Sequence, residues 1–447
     1  MKIAMINVVC GGSTGRLMEL MRRSALAEGH EVRVFYGRGS APGTRSEGYV
    51  KCGGRLHVYR HVLRVRLLDQ NGHGSRSATK QLVRELTAFA PDVIHLHNIH
   101  GYYLHLATLF DYLTNHTQAK VIWTLHDCWA FTGRCAYFTE AGCTRWIDGC
   151  HDCPAKNVYP KSFRDRSARG YGEKKQWFSG LIATGRLTLA APSHWLAQLV
   201  RKSFLQSCPV ITIPNGIDLA VFRPCGRTGA VSGAQRFADV MIPEHVRVIL
   251  GVSFVWDDRK RFPIYCEIAR RFNPQQAVVV LVGLTDREFR MLPEGAIGIR
   301  RTENAAELAA LYSRADVFIS ASVEDTFPTV MLEALACGTP VVCTDRCGCP
   351  EIIDEKTGIV VPADDIDAFL SAIQRILETG VGPRRRQIEP ADQAASRRTH
   401  SSGGEGEDGG AGSGAAAAFR PEDCRRRAEE NFDQTQMTAR YMALYES

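Results

Sequence analysis

The stretch EDTFPTVMLEALACGTPVVCTD, residues 324–345, places two carboxylates eight positions apart, Asp325 and Glu333, around a Phe-Pro pair and a short apolar segment. It follows the apolar run DVFISAS, which is typical of a buried strand, and PTVMLEALA has the composition of a helix. In open parallel sheets, ligands bind beyond the carboxyl end of such a strand, at the amino end of the next helix. The stretch therefore predicts a ligand site, although a capping Asp and a solvated helical Glu would have the same spacing.

On both sides of this stretch, short apolar runs alternate with segments in which apolar residues recur at helical spacing, along most of the 447 residues. The first half carries the strand candidates KIAMINVV, EVRVFYG, DVIHLH, VIWTLH and LTLAAPS, and the second half carries VRVILGVS, AVVVLVG, DVFISAS, TPVVCTD and GIVVP. This alternation predicts parallel sheets with helices on both faces, and its restart predicts two doubly wound, Rossmann-like α/β domains. The turn at Pro-Asn-Gly in ITIPNGIDLAVFRP sets the predicted domains at 1–208 and 209–379.

Residues 380–420 differ in kind, because they are mostly Gly, Ser, Ala and charged residues with little to bury. We predict a disordered insertion here. A chain that lacks it is expected to keep its activity and its cooperative thermal transition, and loss of that transition would contradict the prediction. Residues 421–447 return to helical spacing and predict a C-terminal helix with Phe432, Tyr441 and Leu444 on its apolar face.

Composition narrows the class of protein. No apolar run approaches the roughly 18 to 20 residues that span a bilayer, and MKIAMINVV is typical of a buried strand rather than a signal peptide. These features predict a cytoplasmic protein. The net charge of +7 is compatible with anionic partners. Nucleic acid is not expected among them, because the basic residues of 380–427 lack interleaved aromatic residues.

Several motifs in one order carry a resemblance to a known family. The motifs that carry the resemblance are HLHNIHGYYL, WTLHDCWAFTG, and Asp325 followed after seven residues by Glu333-Ala and then CGTPVV. The chain resembles glycosyltransferase family 4, most closely the bacterial exopolysaccharide, capsule and colanic-acid-type enzymes. The resemblance covers nearly the whole chain except 380–420. It implies the GT-B fold, in which two Rossmann-like domains face a central cleft. It also implies retaining transfer of a sugar from a UDP- or GDP-sugar to a glycan or polyprenyl-linked acceptor in surface polysaccharide synthesis, with no metal required for catalysis.

The resemblance also assigns roles to residues. It implies that Glu333 binds the nucleotide ribose, while Asp325 and the backbone after it, with Thr329 and Val330, lie against the donor sugar and phosphate. Asp325 is one methylene shorter than the family's usual Glu. His126 matches a histidine near the donor sugar, although a lone histidine at a strand end is often structural.

Cations for the donor diphosphate are expected in GVSFVWDDRKRF. Lys260 matches the family's lysine, whereas Ser253 stands where arginine is commonest, so Arg259 or Arg261 is expected to share the task. Such cations would stabilise the charge that develops on the leaving diphosphate. A solvated basic turn is the alternative. Lys260, Asp325 and His126 are the predicted catalytic residues.

Two loops complete the predicted donor site. Gly11 and Gly12 in NVVCGGSTG would let the backbone approach a phosphate or sugar, although a simple tight turn would need the same residues. In CGCPEIID the family usually has Gly-Gly-x-Pro-Glu, so Cys347 replaces a small residue and Glu351 retains the donor-side acid. That departure leaves the donor sugar open.

Four cysteines lie within nineteen residues, in GRCAYFTEAGCTRWIDGCHDCP. Cys135, Cys143, Cys150 and Cys153 predict a closed tetrahedral zinc site of structural type, with His151 as a substitute ligand. Reduced thiols that pack a loop are the alternative.

The segment RLHVYRHVLRVRLL places Arg55, Arg60, Arg64 and Arg66 among aliphatic residues and predicts either peripheral contact with an anionic membrane or an ordinary solvated element.

Two rival functions stay open at this point. One is another GT-B enzyme, such as an epimerase or phosphorylase. The other is a non-catalytic nucleotide-sugar-binding module, which would be expected to lose Lys260 or Glu333.

Overall fold

The first part of the chain forms a seven-stranded, wholly parallel sheet in the computed structural model, which describes residues 1–41, 47–225, 230–231, 234–238, 240–379 and 418–447. Its strands are β1 (Lys2–Val9), β2 (Glu31–Arg38), β3 (Tyr49–Lys51), β4 (Val93–Leu96), β5 (Lys120–Thr124), β6 (Leu187–Ala191) and β7 (Val210–Thr212). They lie in the order β3-β2-β1-β4-β5-β6-β7. The helices around them are α1 (Gly12–Ala27), α2 (Arg55–Leu68), α3 (Arg76–Phe89), α4 (Leu106–Asn115), α5 (Ser167–Ala183) and α6 (His194–Lys202).

A second parallel sheet follows, of six strands in the order β13-β12-β11-β14-β15-β16. Its strands are β11 (Arg247–Val252), β12 (Ala277–Val282), β13 (Ala296–Ile299), β14 (Val317–Ser320), β15 (Val341–Thr344) and β16 (Gly358–Val361). Its helices are α7 (Phe262–Arg271), α8 (Asp286–Phe289), α9 (Ala305–Arg314), α10 (Thr329–Ala336) and α11 (Ile366–Thr379). The prediction of two doubly wound Rossmann-like domains is therefore confirmed.

Burial explains why these segments form central strands. All six residues of β12 (AVVVLV) are buried, because helices cover both faces of the sheet, as parallel sheets require. On α3 the buried side chains Leu82, Leu86 and Phe89 recur at helical spacing, so one face of that helix packs on the sheet.

Two features were not predicted. A small antiparallel sheet precedes the second domain, with strands β8 (Ala230–Val231), β9 (Ala234–Phe237) and β10 (Val240–Pro243). In addition, β7 pairs with β6, so the first sheet ends beyond the predicted boundary at residue 208. The Pro-Asn-Gly turn at 214–216 lies just after this strand, so it marks the end of the first sheet more closely than residue 208 does.

The C-terminal segment forms two helices rather than the single one expected, α12 (Pro421–Asn431) and α13 (Gln434–Glu446). The first packs on α10 of the second domain and the second packs on α1 of the first domain. Phe432 is buried in the core of the second domain, and Tyr441 is buried in the core of the first domain, against which Leu444 is partly buried. The predicted insertion 380–420 lies outside the described residues, apart from 418–420.

The chain thus passes between the domains twice, once after β7 and once between α12 and α13, and the two crossings lie side by side. The amide of Ile217 donates to the carbonyl of Phe432 at 2.9 Å, and the amide of Gln434 donates to the carbonyl of Ile217 at 3.0 Å. A Cβ added to Gly216 would lie 2.6 Å from Cα of Gln434, so only glycine permits this close approach.

Among the described residues, no helix combines the length and apolar content that a membrane crossing needs.

Candidate active site

The point at which strand order reverses in the second sheet, between β11 and β14, carries the first pair of predicted residues. Lys260 follows β11 and Asp325 follows β14, and Nζ of Lys260 lies 2.6 Å from Oδ2 of Asp325. Both side chains are partly exposed. At such a switch point the connections that follow the two neighbouring strands pass to opposite faces of the sheet, and a crevice opens between them. The structure therefore brings together a cation and an acid that are 65 residues apart in the sequence.

Glu333 lies on α10 and is only 2% exposed, so the alternative of a solvated helical Glu is excluded. Its Oε2 accepts a hydrogen bond from the hydroxyl of Tyr312 at 3.0 Å. Its Oε1 lies 3.9 Å from Nη2 of Arg16, which belongs to the first domain. Burial raises the pKa of Glu333 to about 7, although Arg16 and the Tyr312 hydrogen bond oppose the shift. The carboxylate thus faces the first domain across the cleft.

The glycine loop lies opposite Glu333. Helix α1 begins at Gly12 with Gly11 as its N-cap, no side chain caps this end, and Gly12 has a φ of +70° that favours glycine. A Cβ at either glycine would meet no atom within 4 Å, so the backbone is open to an approaching group. Arg16 lies one turn further along α1.

Thr329 and Val330 form the first turn of α10, directly after Asp325 and its Phe-Pro pair. Both are partly exposed. Amides in a first helical turn have no partner inside the helix, and the helix dipole makes this end attractive to anions. The start of α10 is therefore suited to an anionic group placed beside the Lys260–Asp325 pair.

The other cations near this pair are held by acids. Arg259 donates to Oδ2 of Asp257 at 2.6 Å through Nη2. Arg261 donates to Oε1 of Glu140 at 2.8 Å through Nη1. Ser253 is buried, and its hydroxyl donates to the carbonyl of Val255 at 2.7 Å. Lys260 and Arg259 thus lie next to the switch point, whereas Arg261 joins the two domains.

His126 follows β5 and reaches the same region. Its backbone carbonyl accepts a hydrogen bond from the hydroxyl of Thr326 at 3.0 Å. Its Nε2 lies 3.0 Å from Nδ1 of His97, and the two rings stack. Burial lowers the pKa of His126 to about 4, so its imidazole is neutral at pH 7. The Nε2 atom of His97 is buried and has no hydrogen-bond partner among the described residues.

His100, the last histidine of HLHNIH, forms a hydrogen-bonded pair with Asp127 that was not predicted from the sequence. Nε2 of His100 lies 2.8 Å from Oδ2 of Asp127, and its Nδ1 lies 3.2 Å from the hydroxyl of Tyr159. Burial by itself would raise the pKa of Asp127, but His100 and the amide of Trp129 outweigh it, so the pKa lies below its ordinary value. His100 and Asp127 follow the neighbouring strands β4 and β5, and that placement was the available signal.

Glu324, the residue before Asp325, was also missed. It is buried and accepts hydrogen bonds from the amides of Thr139 and Glu140, which lie in the first domain. Burial raises the pKa of Glu324, and these amides oppose the shift. Beside this contact the guanidinium of Arg259 lies 3.9 Å from the ring centroid of Tyr137. This loop of the first domain thus touches the second domain at Glu324 and Arg259, next to Asp325 and Lys260.

Glu351 is placed differently from the expectation of a donor-side acid. Its carboxylate accepts from the amides of His194 and Trp195, at 2.8 and 2.6 Å, and so caps α6 of the first domain. Its binding of the donor stays a prediction. Cys347 has a φ of +56°, the conformation that the family's usual glycine adopts without strain.

The four cysteines line one cavity with Phe138 and Trp146, in the loop that carries Thr139 and Glu140. Their sulfur atoms are not gathered into a ligand set. The only group of three or more candidate metal ligands within 4.8 Å of one another in the described part of the chain is an exposed one, formed by Glu28, His30 and Glu446.

Comparisons with known proteins agree with this arrangement. A family model described as Glycosyltransferase Family 4 matches residues 11–221, and one described as Glycosyl transferases group 1 matches residues 246–379. The chain is 26% identical to the putative colanic acid biosynthesis glycosyl transferase WcaC of Escherichia coli over 375 residues, which are 80% of this chain and 85% of that protein.

Solved structures show the same fold. Sucrose-phosphate synthase of Thermosynechococcus elongatus superposes with a TM-score of 0.65 at 18% identity and covers 100% of this chain and 98% of its own. HepE of Anabaena, in complex with UDP-glucose, superposes with a TM-score of 0.59 at 12% identity and covers 100% and 99%. Since family models match both domains and the fold is GT-B, the chain belongs to glycosyltransferase family 4 and is an enzyme that transfers a sugar.

Proposed function

We propose that this glycosyltransferase takes its sugar from a nucleotide diphosphate-sugar and passes it, with retention of anomeric configuration, to a glycan or polyprenyl-linked acceptor in bacterial surface polysaccharide synthesis. The observation that carries the proposal is the buried carboxylate of Glu333, which faces Arg16 across the cleft. A carboxylate in this place is suited to accept both hydroxyls of a ribose. The donor class is supported by the similar fold of HepE, which binds UDP-glucose, and the pathway class by the similarity to WcaC, a putative glycosyl transferase of colanic acid biosynthesis.

The proposed chemistry uses fixed charges. The diphosphate would lie between Lys260 and the first turn of α10, because a cation and free amides stabilise the charge that grows as the glycosidic bond breaks. Asp325 would then release Lys260 to the phosphate and lie beside the sugar. Neutral His126, behind Thr326, would border the sugar without adding a second positive charge. The acceptor hydroxyl would attack from the face that the leaving phosphate occupies.

The test is a transfer assay across UDP- and GDP-sugars with nuclear magnetic resonance of the product's anomeric carbon. Release of a nucleoside diphosphate with an unchanged anomeric configuration is expected for one donor class. Release of no nucleotide from any donor, or an inverted product, would contradict the proposal.

We also propose that α2 rests on an anionic membrane surface, where a polyprenyl-linked acceptor would be presented. Leu56, Tyr59, Leu63 and Leu67 are between 46% and 67% exposed, and their spacing places them on one helix face. Phe163, which is 76% exposed, extends this face, because its amide donates to the carbonyl of Arg66 at the end of α2.

The arginines beside this apolar face favour an anionic bilayer as the surface that it contacts. At 100° per residue, Arg60 and Arg64 border the apolar stripe on one side and Arg55 and Arg66 border it on the other. An apolar stripe with basic margins is typical of a helix that lies in the lipid interface.

Co-sedimentation with anionic and neutral vesicles tests this surface. Wild-type protein is expected to bind anionic vesicles at low salt and to lose binding as salt rises, since each arginine near the surface contributes only about 1 kcal/mol. Leu63→Ser with Leu67→Ser should abolish binding, whereas Met291→Ser, an equally exposed site in the second domain, should not. Equal binding to both lipids, or none to either, would assign the stripe to another role.

A further inference from the structure

We propose that Cys135, Cys143, Cys150 and Cys153 bind one zinc ion, and that this ion fixes the loop that closes against the donor motif. We call residues 132–166 the cysteine loop. It runs from the end of a short helical turn at Trp129–Phe131 to the start of α5. All four thiols line a single cavity inside it. The rest of the lining is formed by Arg134, Phe138, Arg145, Trp146, His151 and Ser167.

The backbone already contacts one of these sulfur atoms. The amide of Gly133 donates to Sγ of Cys150 at 3.1 Å. A Cβ on Gly133 would lie 2.8 Å from Cβ of Cys150, so glycine lets the backbone approach this sulfur. Backbone amides directed at sulfur are the outer contacts that support thiolate ligands of a metal.

An independent observation is the buried ammonium of Lys174 on α5. Its Nζ donates to the carbonyls of Trp129 and Thr132 at 2.6 and 2.9 Å and lies 3.4 Å from the ring centroid of Trp129. No carboxylate of the described residues lies within 4.0 Å of it, and burial lowers the pKa of Lys174 to about 7, so its positive charge is only weakly held. A buried cation is costly without a countercharge. Zinc with four thiolates carries a net charge of −2, which would supply one.

Binding requires the sulfur atoms to move closer together. Zinc–sulfur bonds of about 2.3 Å in a tetrahedron place the sulfur atoms about 3.8 Å apart, which is closer than the present arrangement, where no three lie within 4.8 Å. Rotation about one χ1 angle moves a cysteine sulfur without moving the backbone. Cys143, Cys150 and Cys153 are half-buried and therefore accessible to an incoming ion.

The location of the loop gives the ion a consequence for the active site, and this step rests on the proposed donor function. Residues 137–140 lie between the first two cysteines and make the contacts across the cleft with Glu324, Arg259 and Arg261. Removal of zinc would therefore loosen the face that closes over the donor. A chelator that strips the metal is expected to raise the donor KM more than it lowers kcat.

Elemental analysis of the full chain, purified in reducing buffer without chelator, tests the site directly. One zinc per chain is expected, and cobalt exchanged into its place should give the visible absorption of tetrahedral thiolate coordination. Cys150→Ser with Cys153→Ser should lose the metal. Cys225→Ser, a half-buried cysteine of the second domain, and His151→Ala should keep it.

Three results would overturn the proposal: wild-type protein without zinc, zinc retained by the double variant, or thiol titration showing these cysteines paired as disulfides. The wild-type measurement stands even if the double variant fails to fold. Because metal content is read without any donor, its outcome is separate from that of the transfer assay.

Discussion

Replacement of Glu333 by glutamine is expected to weaken nucleotide binding and to lower transfer by at least tenfold, which corresponds to about 1.4 kcal/mol. The amide keeps the shape of the side chain but offers only one acceptor oxygen where a ribose presents two hydroxyls. Calorimetry with the free nucleoside diphosphates measures the loss. Glu355→Gln, at an exposed position of the same domain, is the matched control and should bind as wild type does.

The raised pKa of Glu333 adds a pH dependence. Only the ionised carboxylate can accept both hydrogen bonds, and the free enzyme holds the proton below about pH 7. Nucleotide affinity should therefore be constant above pH 8 and should fall about tenfold for each pH unit below the pKa. Tyr312→Phe removes a hydrogen bond that favours ionisation, so it should move this fall to higher pH. A flat profile between pH 5.5 and 8 in wild-type protein would remove Glu333 from the ribose site.

Replacement of Lys260 by alanine should lower kcat by roughly tenfold or more, because the charge that grows on the leaving diphosphate loses the cation proposed to stabilise it. The expected loss is greater in kcat than in donor affinity. Single-turnover transfer measures it, and Lys356→Ala, an exposed lysine, serves as the control. An unchanged kcat would show that Lys260 serves only to compensate the negative charge of Asp325.

A double-mutant cycle distinguishes those two roles. If Lys260 acts on the phosphate, then adding Asp325→Asn to Lys260→Ala should not restore affinity for the free nucleoside diphosphate, which carries no sugar for Asp325 to contact. If the lysine only compensates the acid 2.6 Å away, the double variant should bind this nucleotide as wild type does.

The central strands and the pairing of Lys260 with Asp325 follow from the sequence for physical reasons. A strand buried on both faces reads as a continuous apolar run, as β12 does, and the carboxyl ends of neighbouring parallel strands must meet at one edge. The strand β13, by contrast, was missed because AIGI is short and Gly298 interrupts it. The three-residue strands β3 and β7 are too short to show a period.

The contact of Glu324 across the cleft had no sequence signal. Its partners are backbone amides of Thr139 and Glu140, and every residue except proline carries an amide, so side-chain identity does not reveal them. The same holds for Glu351, whose carboxylate caps α6. By contrast, the burial of Glu333 could have been predicted from the sequence. The helix that carries it, TVMLEALA, is otherwise apolar on all sides and must therefore lie inside the domain.

The two adjacent chain crossings give the molecule a hinge. Because Ile217 is hydrogen-bonded to both Phe432 and Gln434, the crossings cannot slide past each other, and the easy motion left to the domains is rotation about this narrow pivot. Such a rotation would break two contacts between the domains at the same time. One joins Arg16 to Glu333, and the other joins Glu324 to the cysteine loop. A methyl group at position 216 would clash with Gln434 at the pivot itself and so would change how far the two domains can rotate apart.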